Sequence, residues 1–542
     1  MPTMSGGGMP WFMSKRSKSN LIIFVFAMIF SVNLVCGASL RNRRASNLRS
    51  STSVKLNGRI KEHHAEPETC PLLSYCICKS LQGGLDITCE RVNSYKLKSD
   101  CETLKKKERF VKYFKIRLSD IPKLDDHIFM GIKIQHLYIH DSNLKALGPN
   151  SLSSQGNTLS HLVLSKNSLA SVPTEAIRQL RNLDHLNLNE NNITVLKQGA
   201  FIGLGKMTRL AVYNNQIHKV HSNAFDGLTR WLAPYEGSER DLIRLNLGKN
   251  HLESIPHEAL IPLKYLRSID FTYNRISYIN AGDFTGMDNL DQLILNHNKI
   301  PNLGAGFFRG LDALTTLYID HNEIRTVHKD AFEGLDAKLS SLTLTGNKIE
   351  SFPSEALRRI HQLETLHMDD NKISRLDEDA FQGFGEHVKF LWLQNNLIRD
   401  VPAPAFQDLH SLEWIKLYNN ELRTLHYELM EPVLDTLIHI DIHSNPLVCD
   451  CDLRWYRQWI DEEWNEIEED WLQDTLCEDP ADKQQHNIAQ VPLKDMLCNE
   501  EVSDKPASIK DDGGGAISFK LDFSIIYFSV IFTLSTTLLC SS

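Results

Sequence analysis

Between Leu363 and Phe384 the chain reads LETLHMDDNKISRLDEDAFQGF, which sets His367 among Asp369, Asp370, Asp377, Glu378 and Asp379. A histidine with several carboxylates can hold a divalent metal or move protons, because these groups offer lone pairs and titrate near or below neutrality. Such chemistry needs the groups to converge on one point, so the element that carries them decides the matter. The same skeleton stands upstream as LSSLTLTGNKIESFPSEAL, from Leu339, and downstream as SLEWIKLYNNELRTL, around Leu412. The acids change between copies and the leucines do not. Asp369 and Asp370 therefore take variable, outward positions, while Asp377, Glu378 and Asp379 fall in a different part of the unit. The group reads as acidic, solvated surface without a catalytic or metal centre.

Alignment on the asparagine of L-x-x-L-x-L-x-x-N-x-[LI] gives Asn167, Asn191, Asn215, Asn250, Asn274, Asn298, Asn322, Asn347, Asn371, Asn396, Asn420 and Asn445, with Ser142 opening the series. These thirteen units step by 24 or 25 residues except from Asn215 to Asn250, and a weaker unit at Phe114, Ile116, Ser119 and Ile121 precedes them. Self-similarity at this period predicts an α/β leucine-rich-repeat solenoid of thirteen to fourteen units, a curved horseshoe with a parallel concave sheet. The alternation of L-x-L suits a strand with one buried face, so Leu366 and Met368 point inward and His367 outward. Asn371 is read as structural, its amide serving backbone groups where the chain leaves the strand. The A-F-x-G-L element, as at Ala224-Phe225, Ala331-Phe332, Ala380-Phe381 and Ala405-Phe406, supplies a phenylalanine to the convex side. One unit cannot bury its apolar face alone, so the array needs neighbours and a cap at each end.

The termini bear on compartment. Lys15, Arg16 and Lys18 precede the apolar run LIIFVFAMIFSVNLVCG, which ends in the small residues Gly37 and Ala38. This predicts a signal peptide over 1–38. A polar leader over 39–69 follows, with a candidate furin-type processing site at Arg41-Asn42-Arg43-Arg44. At the other end, FSIIYFSVIFTLSTTLLCSS is uncharged, and small residues at Gly513, Gly514 and Gly515 lie upstream. Small residues, spacer and apolar tail predict a glycosylphosphatidylinositol-anchor signal over 513–542, with attachment at Gly513 or Asp512 and a stalk over 500–512. A membrane-spanning tail is the rival expectation, although no basic residues follow the run.

The chain has eleven cysteines, of which Cys36 and Cys540 lie in the segments expected to be removed. Cys70, Cys76, Cys78 and Cys89 follow C-P-x4-C-x-C-x10-C in a cap over 70–108; Cys449, Cys451, Cys477 and Cys498 follow C-x-C-x25-C-x20-C in a cap over 446–499. Disulfides suit small caps of an exported chain; zinc is the less favoured alternative. Four cysteines allow three pairings each. Cys101 makes the number odd, and pairing between chains, pairing within the N-terminal cap and a free buried thiol all remain open.

The C-P…C-x-C…C cap, the repeats over 109–445 and the N-P-L-V-C-D-C-D-L-R-W opening of the second cap resemble the extracellular leucine-rich-repeat family that includes Slit, Toll ectodomains and the Nogo receptor. With the anchor signal, the chain is most similar to glycosylphosphatidylinositol-anchored members such as connectin, chaoptin and the Nogo receptor. The resemblance implies the pairs Cys70–Cys78, Cys76–Cys89, Cys449–Cys477 and Cys451–Cys498. It also implies a recognition protein that meets its partner on the concave sheet.

On that sheet the repeat sends Phe390 and Trp392 outward from one strand and Trp414 and Tyr418 from the next, with His367 and His439 flanking. Aromatic side chains dominate interface hot spots, so these four are the candidate partner-binding residues. His136, His161 and His185 share another outward column. They are read as separate exposed histidines in preference to a metal or pH-sensing site. Asn192-Ile193-Thr194 is a glycosylation sequon. The extra residues over 229–240, with Trp231 and Tyr235, predict a protruding loop. Lysines and arginines from Lys96 to Arg117 make the first cap basic, which would suit sulfated glycans, and acids from Asp461 to Asp474 make the second acidic, within a net charge of -9. No nucleophile elbow, phosphate-binding glycine loop or cofactor motif occurs, so the chain is not read as an enzyme and no cofactor is expected. The expected partner is an extracellular protein or a second copy of the chain, with a transmembrane co-receptor for any signal. Nucleic acid is excluded by compartment.

Overall fold

In the computed structural model the chain divides into Met1–Glu66, outside the described residues, and the compact unit Pro67–Ser542. Within that unit residues 69–106, 109–228, 242–463 and 472–496 are described. The signal, leader, processing and anchor segments, the 229–240 insertion with Trp231 and Tyr235, and Cys498 lie outside them. Among the described residues no helix is long and apolar enough to cross a membrane.

A 16-stranded sheet runs from Cys76 to Asp441. Its first two strands, Cys76–Leu81 and Gly84–Glu90, form an antiparallel hairpin. The hairpin's second strand then pairs in parallel with Phe110–Arg117, and every later neighbour, to His439–Asp441, is also parallel. The weak unit at Ser119 is thus a full member of the array. Arg209–Ala211 pairs directly with Arg244–Asn246, so the long step between Asn215 and Asn250 leaves the register intact.

Each three-residue strand from His161–Val163 to His439–Asp441 buries its central residue, and most leave the flanking ones half-buried or exposed. Leu366 and Met368 are fully buried while His367 faces out. The asparagines then bind neighbouring units together. The Asn371 amide donates to the carbonyls of Leu344, Met368 and Asp369, and its Oδ1 accepts from Ile349 N–H. No aliphatic side chain could replace those bonds, and leaving such buried groups unpaired costs about 1–3 kcal/mol each. Ser142 does less, accepting from Ser119 N–H and donating to the His140 carbonyl. The residue before each ladder position has a left-handed backbone, from φ 49° at Asp141 to 56° at Tyr273, His297 and Asn395 and 67° at Gly346. None of these residues is β-branched, as that region requires.

The direction of curvature follows from two ring spacings. On the side away from the sheet, Phe201–Phe225, Phe284–Phe308 and Phe308–Phe332 have centroids 5.8, 6.2 and 6.1 Å apart. On the sheet, the strand residues His161–His185 and His367–Trp392 stand 4.3 and 4.0 Å apart. Units spaced more widely on one side must bend toward the other, so the sheet is the concave face.

Both ends of the core are covered. The helix Ser94–Lys105, capped by Asn93, lays Leu97, Cys101 and Leu104 over the first strands. The buried Asp100 carboxylate accepts from the N–H groups of Ser74, Tyr75 and Cys76. Disulfides join Cys70 to Cys78 and Cys76 to Cys89. At the far end the helix Arg454–Glu463 buries Trp455, Tyr456 and Trp459, and Trp455 Nε1 donates to the Leu425 carbonyl. Cys449 is bonded to Cys477, and Cys451 is also disulfide-bonded. Cys101 is a free, fully buried thiol whose pKa burial pushes up to about 12.

Candidate protein-binding face

Parallel pairing in register lines up equivalent outward residues in columns across the concave face. Phe390 pairs with Trp414, and Trp414 with His439, in one column; His367, Trp392, Lys416 and Asp441 form the next. Phe390 and Trp392 are half-buried, their rings 5.7 Å apart, and Trp392 stacks on His367 at 4.0 Å. Trp414 is 36% exposed and stacks on His439 at 4.6 Å, while Tyr418 stacks on His443 at 4.5 Å. Three of the four residues singled out in the sequence therefore stand on two adjacent strands, Tyr418 follows just beyond the second, and each ring is braced by a neighbour. Bracing lowers the entropy lost when a partner immobilises them.

Carboxylates border these rings. Tyr418 is held above the usual phenol pKa, first by burial and then by Asp441, Asp369 and Asp370. Asp441 Oδ1 lies 2.6 Å from His443 Nδ1. Here the reading of Asp369 as solvated surface is corrected. It is 8% exposed, accepts from Thr345 Oγ1 and lies 3.7 Å from His367 Nδ1, because the columns on either side cover it. The remaining acids do not join it: Asp377 pairs with Arg375 and Asp379 with Arg358. The opening cluster is thus divided: Asp369 is covered beside half-buried His367, Asp377 and Asp379 form ion pairs elsewhere, and Asp370 and Glu378 are exposed.

The N-terminal third has other contents. Tyr113, His136, His161 and His185 line up in one column, with successive centroids 5.0, 4.4 and 4.3 Å apart; the outer pairs are stacked and His136–His161 is tilted by 50°. The reading of three separate exposed histidines is therefore corrected: register brings the rings into contact and half-buries them. Burial, followed by the neighbouring imidazoles, pushes the His161 pKa down to about 4; burial and Lys112 lower that of His136. The basic run is partly neutralised, since Lys105, Lys115 and Arg117 pair with Glu102, Asp86 and Glu90. At the opposite cap, Asp461 pairs with Arg457. Asn192 is exposed beside buried Asn191, with its side chain open to solvent.

Sequence reasoning missed a third stack, Tyr273–His297–His321, in the left-handed position that precedes the ladder asparagine. Alignment of that single position across units would have found it. Gly346 ends the stack: at φ 67° it occupies the next place, where a Cβ would fall 2.2 Å from His321 Nδ1.

The leucine-rich-repeat family model matches residues 132–193, 157–217, 181–232, 240–300, 289–337, 337–386 and 386–447, more than half of the chain. The chain belongs to the leucine-rich-repeat family. No curated protein matches it in sequence. Among solved structures, this leucine-rich-repeat protein is similar to the TLR13 chain of a TLR13–ssRNA13 complex, at TM-score 0.56 and 24% identity, covering 72% of this chain and 57% of that one. A chain of the Drosophila Toll–Spatzle complex follows at TM-score 0.49 and 19% identity, covering 70% and 51%. A chain of the Latrophilin 3, Unc5D and FLRT2 assembly gives TM-score 0.44 and 20% identity, covering 67% and 90%. The chain spans little more than half the length of the first two. At 24% identity the likeness to the TLR13 chain is one of fold.

Proposed function

We propose that this leucine-rich-repeat protein is an extracellular recognition protein that binds another extracellular protein through its concave sheet, with contact centred on Phe390, Trp392, Trp414 and Tyr418. The observation that carries the reading is the braced group of rings on adjacent strands, facing away from a core that is complete without them. A folded chain gains little from half-exposing two tryptophans side by side, whereas a partner that covers them gains apolar burial and shape. The bordering Asp369, Asp370 and Asp441 favour a partner surface that carries lysine or arginine. The reading is one of binding, not catalysis.

The chain reaches the outer face of the plasma membrane through the signal over 1–38 and is held there by a lipid anchor at Gly513 or Asp512. Signalling then passes through a transmembrane co-receptor. Asn192 carries a glycan. The basic first cap is a secondary contact for sulfated glycans.

The test is display of the full chain on animal cells, with treatment by phosphatidylinositol-specific phospholipase C and with soluble ectodomains, its own included, offered as ligands. The expected result is release by the lipase and binding of an ectodomain that the Trp392→Ala, Trp414→Ala double variant loses. Spontaneous release of full-size protein would support instead a matrix component or a non-catalytic subunit of an extracellular complex. Unchanged binding by the double variant would remove the proposed contact surface.

A further inference from the structure

The histidine column of the N-terminal third lies far along the sheet from the aromatic residues, and the recognition reading makes no use of it. Its geometry is specific. His161 and His185 are paired residues of neighbouring parallel strands, with rings 4.3 Å apart and within 9° of parallel. Asp184 immediately precedes His185 in the chain. Among the described residues, one ligand atom each from His161, Asp184 and His185 lie mutually within 4.8 Å. The other described group of this kind includes Cys451, whose sulfur is already in a disulfide.

We propose that His161, His185 and Asp184 bind a single zinc ion on the concave face, with water as the fourth ligand. Two imidazoles and a carboxylate suit a borderline-soft cation and are a poor set for calcium, which takes oxygen ligands. Tetrahedral zinc, with bonds of about 2.0–2.1 Å, holds its ligand atoms roughly 3.3 Å apart, so closing the site requires the atoms to draw together and one imidazole to turn out of the parallel stack, because each ring directs its lone pair in its own plane.

The surroundings prepare these ligands. Asp184 Oδ1 accepts from Thr208 Oγ1 at 2.8 Å, which fixes the carboxylate, while Asp184 Oδ2 lies 2.7 Å from His185 Nδ1 outside hydrogen-bonding geometry. His161 Nδ1 is 3.0 Å from Ser160 Oγ. His136, next in the column, has a buried Nδ1 with no hydrogen-bond partner among the described residues, so a further imidazole stands beside the site. Arg209 continues the column on the far side and opposes a cation, which makes the Asp184 charge essential.

The experiment uses the purified full chain, stripped with a chelator and titrated with zinc against a chromophoric competitor. Cobalt(II) absorption serves as an independent report of tetrahedral coordination. One equivalent is expected, weakened at least about tenfold in His161→Gln, in His185→Gln and in Asp184→Asn, in line with the loss of a ligand or its supporting group. His297→Gln, in a stacked pair outside this group, is expected to bind as the parent does. Zinc is also expected to raise the unfolding temperature of the parent and not of the His161→Gln, His185→Gln double variant. Absence of binding, equal loss in His297→Gln, or unchanged affinity in the double variant would each overturn the proposal. A cobalt spectrum without tetrahedral bands in the parent would do so even if a variant failed to fold.

Discussion

The two thirds of the concave face at its opposite ends have the same backbone and different chemistry. In both, adjacent parallel strands bring outward rings to within van der Waals distance, as the 4.3 Å spacing of His161 and His185 and the 4.6 Å spacing of Trp414 and His439 illustrate. At the N-terminal end the rings are small imidazoles with one carboxylate beside them. At the C-terminal end indole, phenyl and phenol rings pack against one another and against His367, His439 and His443, bordered by several carboxylates. A column is therefore a fixed template on which ligand atoms or apolar area can be mounted. Which of the two a given stretch presents depends on one residue in each repeat.

The sharpest break of that comparison lies within a single strand. Leu391 sits between Phe390 and Trp392 but faces the core and is fully buried. Leu391→Ala is expected to lower stability by about 2–5 kcal/mol, through lost burial and a cavity. Denaturant unfolding of the full chain measures it. Trp392→Ala, one residue away, is expected to reverse the pattern. Its partner affinity should fall by about 2 kcal/mol, or roughly thirtyfold, with stability much less affected. Equal stability losses in the two variants would mean that Trp392 serves the fold.

Asn371→Ala tests whether the frame beneath both regions is the same. It leaves the Ile349 N–H and three carbonyls without the amide, at an expected cost of about 1–3 kcal/mol, and the same change at Asn191, under the histidine column, should cost a similar amount. Gly346→Ala is expected to cost about 1–3 kcal/mol from its left-handed backbone and to shift the His321 ring, visible in histidine NMR resonances. The smallest expected effect is at Cys101. With its pKa raised to about 12, the thiol stays protonated at pH 8, and burial shields it. Alkylation at pH 8 should reach Cys101 only after unfolding, and rapid labelling of the native chain would show an open cap.

Much of the frame was legible because it repeats. The ladder asparagines and the alternation around Leu366 each recur many times, so chance resemblance at one unit is outvoted by the others. The outward position of Phe390, Trp392, Trp414 and Tyr418 followed from the same alternation. The error at Asp369 has the opposite origin: its exposure depends on Thr345 and His367 in three-dimensional contact, and no repeat average contains that. The separation assumed for His136, His161 and His185 failed for a related reason, since a shared column says that residues are neighbours but not that their rings turn toward one another.

The amino-acid sequence alone determined the period, the inward and outward halves of each strand and the need for caps, because these follow from apolar burial and backbone geometry within one repeat and its neighbour. Only the tertiary structure decided which outward side chains touch, which acids are covered and which imidazoles resist protonation. Those properties depend on side-chain rotation and on packing between units at distances of a few ångströms, where a single neighbouring residue changes the outcome.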